Sequence, residues 1–115
     1  MTPLTHAALV QVAAHWLKSS RRCGVVLSER GTHEIPDAIG WDPRGRSVLI
    51  ECKVSRADFF ADRSKRIRLG LSTPGAMGAL RYYMAPHGLL TVEDLPDGYG
   101  LLGLTSDGEI YPDEY

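Results

Sequence analysis

The chain has 115 residues, enough for one domain with a single modest core. At 43% hydrophobic and 23% charged residues its composition is that of an ordinary globular protein, and no run approaches the ~18 consecutive apolar residues of a membrane-spanning helix. A net charge of −1 argues against a protein that coats nucleic acid without discrimination.

Residues 5–20, THAALVQVAAHWLKSS, set Leu9, Val12, Ala13, Trp16 and Leu17 at helical spacing behind Thr5, a good N-cap. This amphipathic helix carries His6, Gln11 and His15 on or near its polar side. Residues 23–31, CGVVLSERG, read as the first strand, closed by Gly31. The segment 34–41, EIPDAIGW, follows, with Asp37 directly after Pro36. Asp42-Pro43-Arg44-Gly45 is a turn by composition, and it joins that segment in a hairpin to residues 47–54, SVLIECKV. The aliphatic and β-branched run there predicts a buried strand.

Inside that strand stand two residues foreign to a core, Glu51 and Lys53. Residues two apart in a strand share a face, so the carboxylate and the ammonium leave the sheet side by side. Val48, Ile50, Cys52 and Val54 turn the other way, to the core. An exposed ion pair on an edge strand would account for Glu51 and Lys53, at a value of only about 0–1 kcal/mol. It would leave Asp37 unexplained, and the apolar flanks point to a central strand, where charges are costly unless paired or bound to a metal. Antiparallel neighbours can bring Asp37 and Glu51 close enough to share one ion. Two carboxylates and a lysine are what a hard divalent cation and a phosphodiester require.

Ser55-Arg56-Ala57-Asp58 is a variant of the capping box, with Asp58 assigned to the first helical turn. Phe59, Phe60 and Ile67 form the apolar stripe of the helix it opens. Residues 70–79, GLSTPGAMGA, read as a loop, LRYYMAP as a strand and TVEDLPDG as a short helical turn. YGLLGLT and EIYP form a closing hairpin around Ser106-Asp107-Gly108. Charge is segregated along this order. Arg44 to Arg68 holds eight basic residues against three acidic ones, whereas Leu89 to Tyr115 holds seven acidic residues and no basic one. Such a split predicts an anionic partner on one side, unless the two segments pack together and neutralise each other.

Pro36-Asp37, a gap of 13 residues and Glu51-Cys52-Lys53 form the PD-(D/E)xK pattern, and the chain resembles that nuclease superfamily. The stretch KVSRADFFADRSK, with RYYMAP further on, is similar to the MmcB-like DNA-repair nucleases and their phage-encoded relatives. The resemblance implies a restriction-endonuclease-like α/β sandwich over residues 1–115, a single domain with a mixed central sheet of order αβββαβ plus a small C-terminal hairpin. It implies a divalent-metal-dependent nuclease acting on phosphodiester bonds, with DNA as partner in repair, recombination or phage DNA processing. Asp37 and Glu51 would hold Mg²⁺ or Mn²⁺ together with the Cys52 backbone carbonyl, and Lys53 would stabilise the developing charge, so that Asp37, Glu51 and Lys53 form the catalytic set. Arg56, Arg63, Lys65, Arg66 and Arg68 would hold flanking phosphates.

In many nucleases of this kind the first helix adds an acidic ligand, but no acidic residue stands between Met1 and Lys18. Gln11 and His15 are the secondary candidates there, and Glu34, three residues before Asp37, is another. Zinc-type Cys/His spacing and a glycine-rich phosphate cradle are both missing, so neither a metal finger nor a nucleotide cofactor is expected. The opening MTPLTHAALV is unlike a secretory leader, and two cysteines in or beside strands fit a reduced, cytoplasmic protein, in a prokaryotic cell or a phage-infected host. Two other readings stay open: a catalytically inactive nucleic-acid-binding module of the same fold, and an interaction protein whose acidic C-terminal segment meets a basic partner.

Overall fold

Thr5 opens the first helix as its composition predicts, its hydroxyl oxygen accepting the Ala8 N–H at 3.1 Å. The structure is a computed structural model that describes residues 4–28, 37–68 and 80–113, with the side chains of 65–68 and 113 left aside. Its elements are α1 (His6–Ser19), β1 (Val25–Ser28), β2 (Ala38–Trp41), β3 (Ser47–Cys52), α2 (Arg56–Arg68), β4 (Leu80–Pro86), a 3₁₀ turn at Val92–Asp94, β5 (Tyr99–Leu104) and β6 (Ile110–Asp113). Among the described residues no helix is long and apolar enough to cross a membrane. The expected loop over 70–79 and the position of Glu34 lie outside the described residues.

All six strands join one open mixed sheet whose order follows the chain, β1 to β6. β1, β2 and β3 run antiparallel to one another, β3, β4 and β5 parallel, and β6 antiparallel on β5. The hairpin expected as a small C-terminal addition is therefore part of the central sheet. The reason lies in β5 itself: Tyr99 to Gly103 is buried on both faces, as an internal strand must be.

The alternation along β3 divides the core in two. Val48, Ile50 and Cys52 pack with Leu9, Val10, Ala13 and Leu17 of α1, joined by Tyr82 and Met84 of β4. On the opposite face Phe59 of α2 packs with Tyr83, Ala85, Tyr99 and Leu101. The sheet thus lies between two helices, one to each face, which is a mixed α/β fold.

Two local devices hold these layers. At the end of α1 the Arg21 guanidinium lies over the rings of Trp16 and Tyr82, 5.4 Å from each centroid, and donates to the Tyr82 hydroxyl. Arg22 then takes a left-handed conformation, φ 55°, so that the Cys23 N–H can reach back to the Leu17 carbonyl at 2.9 Å. In the β2–β3 hairpin, buried Asp42 accepts the N–H groups of Arg44 and Arg46 at 3.0 and 2.9 Å and the Arg46 guanidinium at 2.9 Å. Burial pushes the Asp42 carboxyl up, but those donors outweigh it and hold it below the usual carboxylate range.

Candidate active site at the end of the central strands

The site grows from the register of the β2–β3 hairpin. Ala38 pairs with Ile50, which puts Asp37 and Glu51 one step further along the two strands at the sheet's end. Asp37 is only 7% exposed, and its Oδ2 accepts the backbone N–H of Cys52 at 2.7 Å. A carboxylate that takes a charge-assisted bond from the next strand's main chain is fixed in place. The same oxygen receives the His6 ring N–H, Nε2 to Oδ2 at 3.2 Å. His6 is the first residue of α1, so the helix begins directly over this strand end.

Any repulsion between Asp37 and Glu51, set at the same end of neighbouring strands, is opposed by two donors on Asp37. Glu51 and Lys53 are both half-buried, on the face away from α1. β3 ends at Cys52, yet the Lys53 N–H continues the parallel ladder by donating to the Met84 carbonyl at 2.9 Å. Its ammonium meets Asp62 of α2 at 3.4 Å, a pair whose side chains are 15% and 29% exposed.

A surface cleft of about 480 Å³ opens here, lined by His6, Lys53, Asp58 and Asp62 with Cys52, Val54 and Ala61. Clefts at the carboxyl ends of parallel strands are where α/β sheets bind ligands. Asp37 and Glu51 are not among the lining residues, and His6, bonded to Asp37, is. Cys52 divides its roles: its side chain is fully buried against α1, while its backbone serves the site. Ser55 caps α2 by accepting the Asp58 N–H at 3.1 Å, which keeps Asp58 in the first turn, as its spacing predicts.

The other sequence candidates fall elsewhere. Gln11 and His15 are exposed on α1 and do not line the cleft. Arg63 is exposed on α2, while the side chains of Lys65, Arg66 and Arg68 lie outside the described residues. Arg56 serves the fold instead. Its guanidinium donates to the Leu89 carbonyl at 3.0 Å and to Asp94 at 3.1 Å, and covers the Phe60 ring at 5.0 Å. The Thr91 N–H and the Arg56 guanidinium hold the Asp94 carboxyl below its usual range. Basic and acidic segments therefore do meet, at this one described pair.

His6 and Asp62 are the residues that sequence reasoning passed over. A signal existed for Asp62, which follows Asp58 by one helical turn and so shares its face. None existed for His6, whose place depends on how α1 crosses the sheet.

The donor chemistry here fits a hard divalent cation: one carboxylate fixed by the main chain and a second in register beside it. Among the described residues no three His, Cys, Asp or Glu side chains form a metal-holding group by themselves. Magnesium at phosphate sites is commonly held in that way, by one or two carboxylates with water and phosphate completing the shell.

No family model and no curated protein matches this chain. A solved structure, that of a protein of unknown function from Silicibacter pomeroyi, is similar to it with a TM-score of 0.61 and 24% identity, over 99% of this chain and 75% of that one. The likeness is one of fold alone.

Proposed function

We propose that this protein is a divalent-metal-dependent nuclease of the PD-(D/E)xK type, with the restriction-endonuclease-like strand order at its centre and DNA as its substrate. The observation that carries the reading is the bond from the Cys52 N–H to the Asp37 carboxylate, 2.7 Å. It draws the first acidic residue of the pattern onto the strand that carries the other two members.

Asp37 and Glu51, with the Cys52 carbonyl, would hold Mg²⁺ or Mn²⁺, which when bound supplies Lewis acidity and an activated water. The chain's own residues do the rest. Asp37 is held by the main chain and needs no reorganisation to act. Lys53, at the cleft wall, leaves Asp62 to take a phosphate oxygen and offset the charge that develops there. Arg63, Lys65, Arg66 and Arg68, on the helix beyond, hold flanking phosphates without reading sequence. Arg56 is withdrawn from that group by its bonds to Leu89 and Asp94.

A second reading, a nucleic-acid-binding module without turnover, draws on a different observation. Asp37 and Lys53 each already have a protein partner, in His6 and Asp62. The deciding experiment incubates purified protein with single- and double-stranded DNA and RNA in Mg²⁺, Mn²⁺ or EDTA. Cleavage that needs a metal and vanishes in Asp37→Asn supports the nuclease. Binding in EDTA without cleavage under any condition supports the module.

A further inference from the structure

On the sheet face that carries Glu51, α2 packs over the β4–β5 side, with Phe59 on Tyr83, Tyr99 and Leu101. The β1–β2 side of that face ends in side chains open to solvent. Register sets Val25 opposite Trp41, Leu27 opposite Ile39 and Trp41 opposite Ser47, so these residues share the face of Glu51. Ile39 is buried, but Val25 is 57% exposed, Leu27 55% and Trp41 37%. We propose that this strip receives the substrate as an unpaired DNA strand, with one base stacked on Trp41. The inference rests on the nuclease reading and adds the form of nucleic acid that the site takes.

Charge is the first argument. The Gly24 N–H donates to the Trp41 carbonyl at 3.2 Å, which sets exposed Arg22 two residues from that contact. The hairpin that follows Trp41 raises Arg44 and Arg46, both exposed. Asp42 between them is buried and already bonded by both main-chain N–H groups and by the Arg46 guanidinium. Among the described residues at this corner, three cations are exposed and the single carboxylate is spent. An aromatic ring set among arginines suits a phosphate backbone that follows the cations while a base stacks on the ring.

Geometry is the second. Trp41 stands four residues from Asp37 along the same strand, about 13 Å at ~3.3 Å per residue, a span of about four stacked nucleotides. Ser47 and Leu49 of β3 line the way to Glu51 on that face. A strand with one base on Trp41 therefore brings a phosphate a few nucleotides away to the end of the strands. A duplex keeps its bases within the stack and has no face to offer the ring. Three partly exposed side chains also fall well short of the ~800 Å² that each partner gives to a stable protein interface, which argues against a second copy as occupant.

The test measures binding of single- and double-stranded DNA oligonucleotides in EDTA, to wild type, Trp41→Phe, Trp41→Ala and the double variant Arg22→Gly/Arg44→Ala. All three positions are exposed, so the fold is retained. Wild type should prefer single strands, which should quench its tryptophan fluorescence. Trp16 is packed against Tyr82 and Arg21, so the quenching should vanish in Trp41→Phe while most of the affinity stays. Trp41→Ala should weaken single-strand binding about tenfold, the scale of one lost base stack, and leave duplex binding within about twofold. Arg22→Gly/Arg44→Ala should flatten the salt dependence by about two phosphate contacts. Equal single-strand affinities of wild type and Trp41→Ala overturn the inference, as does an equal loss on duplex or a wild-type dimer in light scattering that Trp41→Ala splits. Metal-dependent cleavage judges the nuclease reading apart. Wild type that cleaves DNA with an affinity indifferent to Trp41 keeps that reading and loses this one; wild type that neither binds nor cleaves loses both.

Discussion

The two faces of β3 obey different rules although they alternate residue by residue. Towards α1, the side chains of Val48, Ile50 and Cys52 are fully buried and pack in an apolar cluster with the helix. Towards α2, Glu51 and the following Lys53 are half-buried and charged, with Asp62 answering Lys53 across the cleft. One face stabilises the strand; the other uses the rigidity so gained. The lesson is that a charged pair tolerated at a central strand's end is supported from behind, by packing that no charge disturbs.

That contrast can be broken most severely from the apolar side. Ile50→Ala empties the centre of the α1 layer and should cost about 3–4 kcal/mol in denaturant unfolding, given the 2–5 kcal/mol usual for such truncations. A loss below about 1 kcal/mol would show that the layer is loosely packed. From the polar side, Lys53→Ala is expected to lower metal-dependent cleavage on the order of 100-fold, the scale of a lost transition-state donor. Its unfolding should shift only modestly, because the ion pair with Asp62 is partly exposed.

Asp37→Asn tests the seam between the faces. Two carboxylates near one another favour removing a charge, whereas the bonds from Cys52 and His6 favour keeping it. An asparagine oxygen can still accept from Cys52, so a net loss of about 1 kcal/mol is expected in thermal unfolding, with cleavage abolished. Cys52→Ala separates side chain from backbone at one position. It should lose about 1 kcal/mol of stability as a small hydrophobe is trimmed, with turnover unchanged. The mildest change lies behind the α1 layer: Arg22→Gly relieves a left-handed residue and should stabilise by about 0.5–1 kcal/mol in the same assay.

What the sequence could reveal follows from the range over which each feature is encoded. The two-residue alternation that separates Glu51 and Lys53 from Cys52 is local, and the structure has it. The turn at Asp42 is local too, and it helps to fix the register that brings Asp37 level with Glu51. Gln11 and His15 attract attention only because they lie in the body of the first helix, where an acidic ligand would stand. The helix instead meets the strand end with its first residue, a matter of crossing geometry that periodicity does not record. YGLLGL is legible as a strand, yet its seat beside β4 is not, since a parallel neighbour is reached through a connection whose local pattern resembles any loop. Arg56 counts in the sequence as one more cation in a basic run, because its partner is 38 residues away.

The succession of strands in the sheet, β1 to β6 without a break in order, has a consequence for how the molecule comes into being. Each strand finds its neighbour in the one made just before it, so the sheet can lengthen as the chain is synthesised. Two of the three antiparallel seams, β2–β3 and β5–β6, close over short turns at 42–46 and 105–109, and should form fast. The two parallel seams must wait for crossovers through 53–79 and 87–98, whose ends are entropically harder to bring together. Lys53 depends on the first of these, because the carbonyl that anchors its backbone belongs to Met84. His6, Asp37 and Glu51 can therefore assemble early, while the cation that balances them is set in place only once β4 docks, which makes the wall of the cleft one of its last parts to become native.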